Sequence, residues 1–254
     1  MQKVLPEMQG YKRAHHQLIE EILTSLNPIS LQQKGLLFCG GTRISLEHDE
    51  YRESLDIDFV PCDHTAFSSL RKAVFENQLE NIFFKDDGLL SIESDIRSDR
   101  YGVRLLLSHK SDPATKVKFE IFSEDRMVFD MTRHEVFTGS HNNLKIATTN
   151  MHEQWVAKIL AHVDRGDDPS NLNKDLLDIT FMTHQSGFLP ADTLIRANEI
   201  YSDAGEKLLN GIQKLDDKAL TYYQKILKIS DDHLACIRNG KDIINQHLYE
   251  PDIG

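Results

Sequence analysis

Polar and apolar residues alternate strictly along "SLDIDFVPC", residues 54–62, so the stretch reads as a strand that Pro61 ends. Leu55, Ile57 and Phe59 share one expected face, and Asp56 and Asp58 share the other. Upstream, residues ~8–27 carry helical periodicity up to the Asn27-Pro28 pair. "GLLFCGG" (35–41) follows as a short buried strand stopped by glycines, with one or two helical turns expected over ~43–50. Downstream, residues ~64–80 suit a helix with Asp63 as N-cap. Three strand-like runs follow, "LLSIES", "YGVRLLLSH" and "TKVKFEIFS", separated by the turn compositions "DIRSDR" and "KSDPA". In the third run Val117, Phe119 and Ile121 oppose Lys118 and Glu120.

After ~149 the period changes. "TNMHEQWVAKILAHVDRG" opens with Asn150 and Glu153 at capping-box spacing and stops at Gly166. The rest is mostly helical in pattern. The expected organisation is an α/β domain over 1–148 followed by a helical domain over 149–254.

Composition narrows the class. The chain has 254 residues, 40% of them hydrophobic and 27% charged, as in an ordinary globular protein. The absence of a long apolar window argues against a membrane span, and the N-terminus lacks a secretory apolar segment, so a cytoplasmic location is expected. Three scattered cysteines, Cys39, Cys62 and Cys236, are expected as free thiols. A formal net charge of −11 argues against a protein that coats nucleic acid, while leaving room for a local basic run over Arg97, Arg100, Arg104, Lys110, Lys116 and Lys118.

The candidate chemistry lies in Asp56 and Asp58. Carboxylates at i and i+2 on a strand sit roughly 6.6 Å apart and repel unless a cation lies between them. Mg²⁺ (or Mn²⁺) suits two carboxylates plus substrate phosphates. Gly40 and Gly41 let a phosphate approach backbone N–H groups at the start of a helix. Together they point to phosphoryl or nucleotidyl transfer. Glu120 is the candidate third carboxylate. On the helix after Asn150, Lys158, His162 and Arg165 border an apolar stripe of Met151, Trp155, Val156, Ile159, Leu160 and Val163. Asp175 falls on an apolar face and would need a partner such as Arg165, whereas Asp178 lies at that face's edge. His15 and His16 read as surface residues of the first helix and Trp155 as core.

These residues resemble a known family. Gly40-Gly41-Thr42 followed by Arg52-x-Ser54-x-Asp56-Ile57-Asp58-Phe59 is similar to the G-G-T and R-x-S-x-D-I-D-F pattern of nucleotidyltransferases among the AbiEii/AbiGii-type toxins. Lys158, Ala161 and Arg165, then Asp175, Asp178 and Ile179, match its two helical motifs, with Lys174 where arginine is usual and Leu55 where an acid is common. The resemblance covers ~35 to ~185. It implies a polymerase-beta-like mixed sheet followed by a helical bundle. It implies that Gly40, Gly41 and Thr42 cradle a triphosphate, that Lys158 contacts its phosphates, and that Asp178 is a site aspartate orienting Lys158 or acting as a base. It further implies a toxin that transfers a nucleoside monophosphate to an acceptor hydroxyl, such as a tRNA 3′ end, and a cognate antitoxin. Two rival readings are a same-fold enzyme acting on a small molecule or protein, and a non-catalytic binding module.

Overall fold

The computed structural model describes residues 10–140 and 144–249. Contacts divide the chain into two compact units, Met1–Glu50 with Ser54–Thr149, and Tyr51–Glu53 with Asn150–Gly254.

The first unit is built on an eight-stranded mixed sheet. Its strands are β1 (Leu36–Cys39), β2 (Asp56–Pro61), β3 (Leu90–Ile92), β4 (Arg97–Ser98), β5 (Gly102–His109), β6 (Asp112–Phe122), β7 (Glu135–Thr138) and β8 (Lys145–Thr148). The order is β3-β5-β6-β2-β1-β8-β7, with β4 paired to β5. β2 runs parallel to β6 and antiparallel to β1, and β8 runs parallel to β1. β4, β7 and β8 were not expected, and β4 lies within a stretch whose composition reads as a turn.

Among the described residues this unit has five helices: α1 (Ala14–Ser25), α2 (Pro28–Gln33), α3 (Gly40–Glu47), α4 (His64–Phe75) and α5 (Leu79–Phe83). Asp63 caps α4 as expected, its carboxylate accepting from the Ala66 N–H at 2.7 Å. The expected first helix is shorter than its periodicity, and positions 8 and 9 lie outside the described residues, as does most of the N-terminal stretch read for a secretory segment. Asn27 ends the helical pattern by starting the next helix: its side chain accepts from Ser30 N–H and Pro28 takes the first helical position.

The core joins α1 side chains Leu18, Ile19, Ile22 and Leu23 to Phe38, Ile57, Phe59, Val103, Leu105, Phe119 and Ile121 of the sheet. Ile57 and Phe59 are fully buried, so β2 keeps its expected apolar face. Leu55 does not join them. It precedes the strand, whose pairing begins at Asp56, and is 53% exposed. His16 also departs from expectation: it is completely buried among polar partners.

The second unit is helical: α6 (Met151–Arg165), α7 (Lys174–Ser186), α8 (Ala191–Ile200), α9 (Ala204–Lys214), α10 (Asp217–Ile226) and α11 (Asp231–Tyr249). Asn150 and Glu153 form the reciprocal capping box that starts α6. Trp155, Val156, Ile159 and Leu160 are buried, whereas Met151 at the first position is 40% exposed. α6 packs on α7, α8 and α9, and α11 packs on α7 and α9. No helix among the described residues is long and apolar enough to cross a membrane.

Candidate active site

β2 presents its two acids on the face opposite the core. Asp56 and Asp58 are half-buried, between the buried Ile57 and Phe59. In register, Asp58 lies beside Cys39 on one neighbouring strand and Glu120 on the other, and Glu120 in turn lies beside Arg104. One level of the sheet thus carries Asp58, Glu120 and Arg104 in a row.

α3 begins directly at Gly40, earlier than its sequence suggests. Gly40 has φ +82°, and a Cβ there would lie 2.5 Å from Asp58 Oδ2 and 2.9 Å from Asp58 Cβ. Only glycine lets the chain pass from β1 into α3 against that carboxylate. Gly40, Gly41 and Thr42 form the first helical turn, whose N–H groups have no partner within the helix and suit an anion.

The Thr42 side chain has another task. It is fully buried, and its hydroxyl lies 2.5 Å from the Asp56 carbonyl and 2.8 Å from Ser54 Oγ. With one proton to donate, it gives to the carbonyl and accepts from Ser54. Thr42 thereby ties α3 to the start of β2. Arg43, missed in the sequence, is buried beside it, donating to the Thr149 carbonyl at 2.6 Å and pairing with Glu47 at 2.9 Å and Glu135 at 3.1 Å.

Glu120 stands where expected, next to Asp58, but its carboxylate is shared between Arg104, at 2.5 Å, and Lys118. A metal role for Glu120 therefore requires these ion pairs to open. Among the described residues no group of three or more His, Cys, Asp and Glu side chains is arranged to hold a metal. The donor set that fits Mg²⁺ or Mn²⁺ is the Asp56–Asp58 pair, which leaves the other coordination positions to phosphate and water.

Lys158, Asp175 and Asp178 meet in the helical unit. Lys158 Nζ lies 2.8 Å from Asp175 Oδ1 and 2.6 Å from Asp178 Oδ2. Arg165 pairs with Asp175 at 2.7 Å, the partner expected for that buried acid. Arg52 grips both oxygens of Asp178, at 2.8 and 3.0 Å, and the Tyr51 hydroxyl donates to the same carboxylate. Asp178, expected at an edge, is fully buried, and Lys158, expected at a border, is only 7% exposed. Burial pushes the Asp178 carboxyl up, but Arg52 and Lys158 outweigh it and hold the group ionised below the usual range. Asp175 is likewise depressed, by Lys158 and Arg165 against burial. Burial pulls the Lys158 ammonium down, and the two aspartates more than reverse this. Arg52, Lys158 and Arg165 thus share the two buried carboxylates.

Half of the basic run over Arg97–Lys118 is engaged in ion pairs: Arg104, Lys116 and Lys118. Arg104 also pairs with Asp99 and Lys116 with Glu93, both at 3.1 Å, while Arg100 lies over the Tyr101 ring at 4.6 Å.

Paired carboxylates on a sheet strand beside a glycine turn that opens a helix suit a protein that handles phosphates. The chain belongs to a particular family of nucleotidyltransferases, the AbiEii nucleotidyl transferase toxins of type IV toxin–antitoxin systems, whose model matches residues 21–228. Among solved structures, a candidate nucleotidyltransferase from H. pylori matches with 16% identity and a TM-score of 0.49, covering 94% of this chain and 97% of that one. JHP933 from Helicobacter pylori matches with 17% identity and a TM-score of 0.47, covering 93% of each chain. No curated protein matches the chain.

Proposed function

We propose that the protein transfers a nucleoside monophosphate from an NTP to the 3′ hydroxyl of an RNA, with Asp56 and Asp58 holding Mg²⁺ or Mn²⁺, and that an antitoxin restrains it. The acceptor hydroxyl gives up its proton to solvent water as its oxygen forms a bond to the α-phosphorus, the bond from that phosphorus to the bridging oxygen breaks, and pyrophosphate leaves with the electron pair. The bound cation would neutralise phosphate charge and align the attacking and leaving oxygens. The first-turn N–H groups of α3 receive phosphate oxygens, and the Thr42 hydroxyl keeps Asp56 in place. By its match to the lysine helix of the family, Lys158 would neutralise charge on the triphosphate. Asp178, with its oxygens engaged by Arg52, Tyr51 and Lys158, orients that lysine rather than serving as a base.

The observation that carries this reading is the Asp58 carboxylate seated against Gly40, with Asp56 on the same strand face. The test is incubation of the full chain with each labelled NTP, Mg²⁺, and total RNA or protein. Label should enter RNA and disappear in Asp58→Asn at an unchanged melting temperature; full transfer by that variant refutes the assignment.

A second reading, transfer to a small-molecule or protein hydroxyl, draws support from the neutralised state of Arg104, Lys116 and Lys118 and from the net charge of −11. Salt separates the two. Transfer to RNA should weaken steeply with ionic strength through counterion release, and transfer to a small neutral acceptor should not.

A further inference from the structure

Two histidines at the start of α1, which no step above uses, converge on the backbone that leads into β2. His15 Nε2 lies 3.0 Å from the Leu55 carbonyl oxygen. His16 Nε2 lies 3.1 Å from the Ser54 amide nitrogen. A carbonyl only accepts and an amide N–H only donates, so the two rings are fixed in opposite states. His15 carries its proton on Nε2. His16 has a bare Nε2 and carries its proton on Nδ1, which donates to Glu50 Oε1 at 2.9 Å. The Glu50 carboxylate is held in turn by the backbone N–H groups of Lys12, at 2.6 Å, and Arg13, at 3.0 Å. Glu50 is 4% exposed and His16 is completely buried.

The clasped residues are the two that precede Asp56. Ser54 donates its N–H to His16 and its hydroxyl to Thr42, while the Leu55 carbonyl accepts from His15 and the Asp56 carbonyl accepts from Thr42. An exposed leucine packs on little, so polar contacts hold this stretch where apolar burial does not.

We propose that His15 and His16 are positioning residues, a clamp of opposite tautomers that fixes the Ser54–Leu55 backbone and so the aim of the Asp56 and Asp58 carboxylates. The proposal rests on the reading that those carboxylates serve nucleotidyl transfer. It carries a pH signature. Protonating His16 would turn its Nε2 into a donor facing the Ser54 N–H, and the clasp would open. The charged and titratable groups around His16 are Glu50, Arg13 and His15. Burial pulls its pKa down, Glu50 pushes it up, and Arg13 and His15 pull it down again, for a net value below the usual 6.5.

The test compares the full-length wild type with His16→Gln, His16→Leu and Asp56→Asn, measuring kcat and KM for NTP between about pH 5 and pH 8.5 beside melting temperatures. His16→Leu removes the acceptor, and its kcat should fall about tenfold or more while KM for NTP stays within about twofold. His16→Gln restores a non-titrating acceptor. It should recover most of that loss at pH 8 and lack an acid limb that the wild type shows below pH ~6.5. The clamp is overturned if His16→Gln keeps the wild-type acid limb, or if the losses in kcat only track the folded fraction. Should His16→Leu not fold, the pH profile of His16→Gln decides alone. Transfer that survives in Asp56→Asn overturns the catalytic reading and the clamp with it. An inactive Asp56→Asn beside an unaltered His16→Gln profile overturns the clamp only.

Discussion

A methyl group at position 40 would press 2.5 Å from the Asp58 carboxylate, on a backbone whose φ of +82° already penalises any side chain. Gly40→Ala should therefore cost roughly 1–3 kcal/mol of stability and also displace Asp58. We expect transfer to fall by about a hundredfold or more, because a misplacement near 1 Å at reacting groups costs that much. A variant that melts normally and transfers normally would show that the close approach is unimportant. The Arg52–Asp178 pair belongs to the same scale. Both side chains are buried, at 2% and 0% exposure, so removing either partner strands a charge. Arg52→Met or Asp178→Asn alone should cost about 3–5 kcal/mol, and the double variant clearly less than the sum. Urea unfolding of the three variants measures this, and strict additivity would contradict the coupling.

Elements were legible where pattern and length agreed. β2, β5 and β6 alternate over enough residues to be read, and α6 carries both its cap and its stripe. Asn150→Ala should lower stability by about 1 kcal/mol through loss of that cap, seen as a shift in melting temperature without loss of helix content. β7 and β8 escaped because each has four residues and little inward apolar surface beyond Phe137 and Ile146; their pairing is decided by neighbouring strands. α3 was placed too late, since glycine is a poor helix former and two glycines open it. The β4–β5 turn offers an element-level test of the acceptor. Arg100→Glu, beside the exposed Tyr101, should weaken transfer to RNA and leave NTP saturation unchanged; an unaltered RNA rate at low salt would remove this turn from the acceptor site.

At the scale of the whole molecule, buried ionisable groups set the response to acid. His16 and His162 are both held below the ordinary histidine value, chiefly by burial, so the fold favours their neutral forms. Their contribution is complete above about pH 6.5 and is lost as pH falls through their folded values. Asp175 and Asp178 are also depressed, so their contribution is present above about pH 3.9 and is lost at still lower pH. Melting temperature should hence drop in two stages on acidification, and a level profile from pH 7 to pH 3 would contradict this. The two aspartates on β2, the glycine turn and the α6 cap were all determined by the sequence, because each depends on neighbours within a few positions and on periods of two or 3.6 residues. The engagement of Glu120 by Arg104 and Lys118, the burial of Lys158 with two aspartates, and the grouping of Tyr51–Glu53 with the helices were decided only by the tertiary structure. So was the burial of His16. A charged or polar side chain goes inside only when distant residues supply its partners, and no local pattern records where those partners fall.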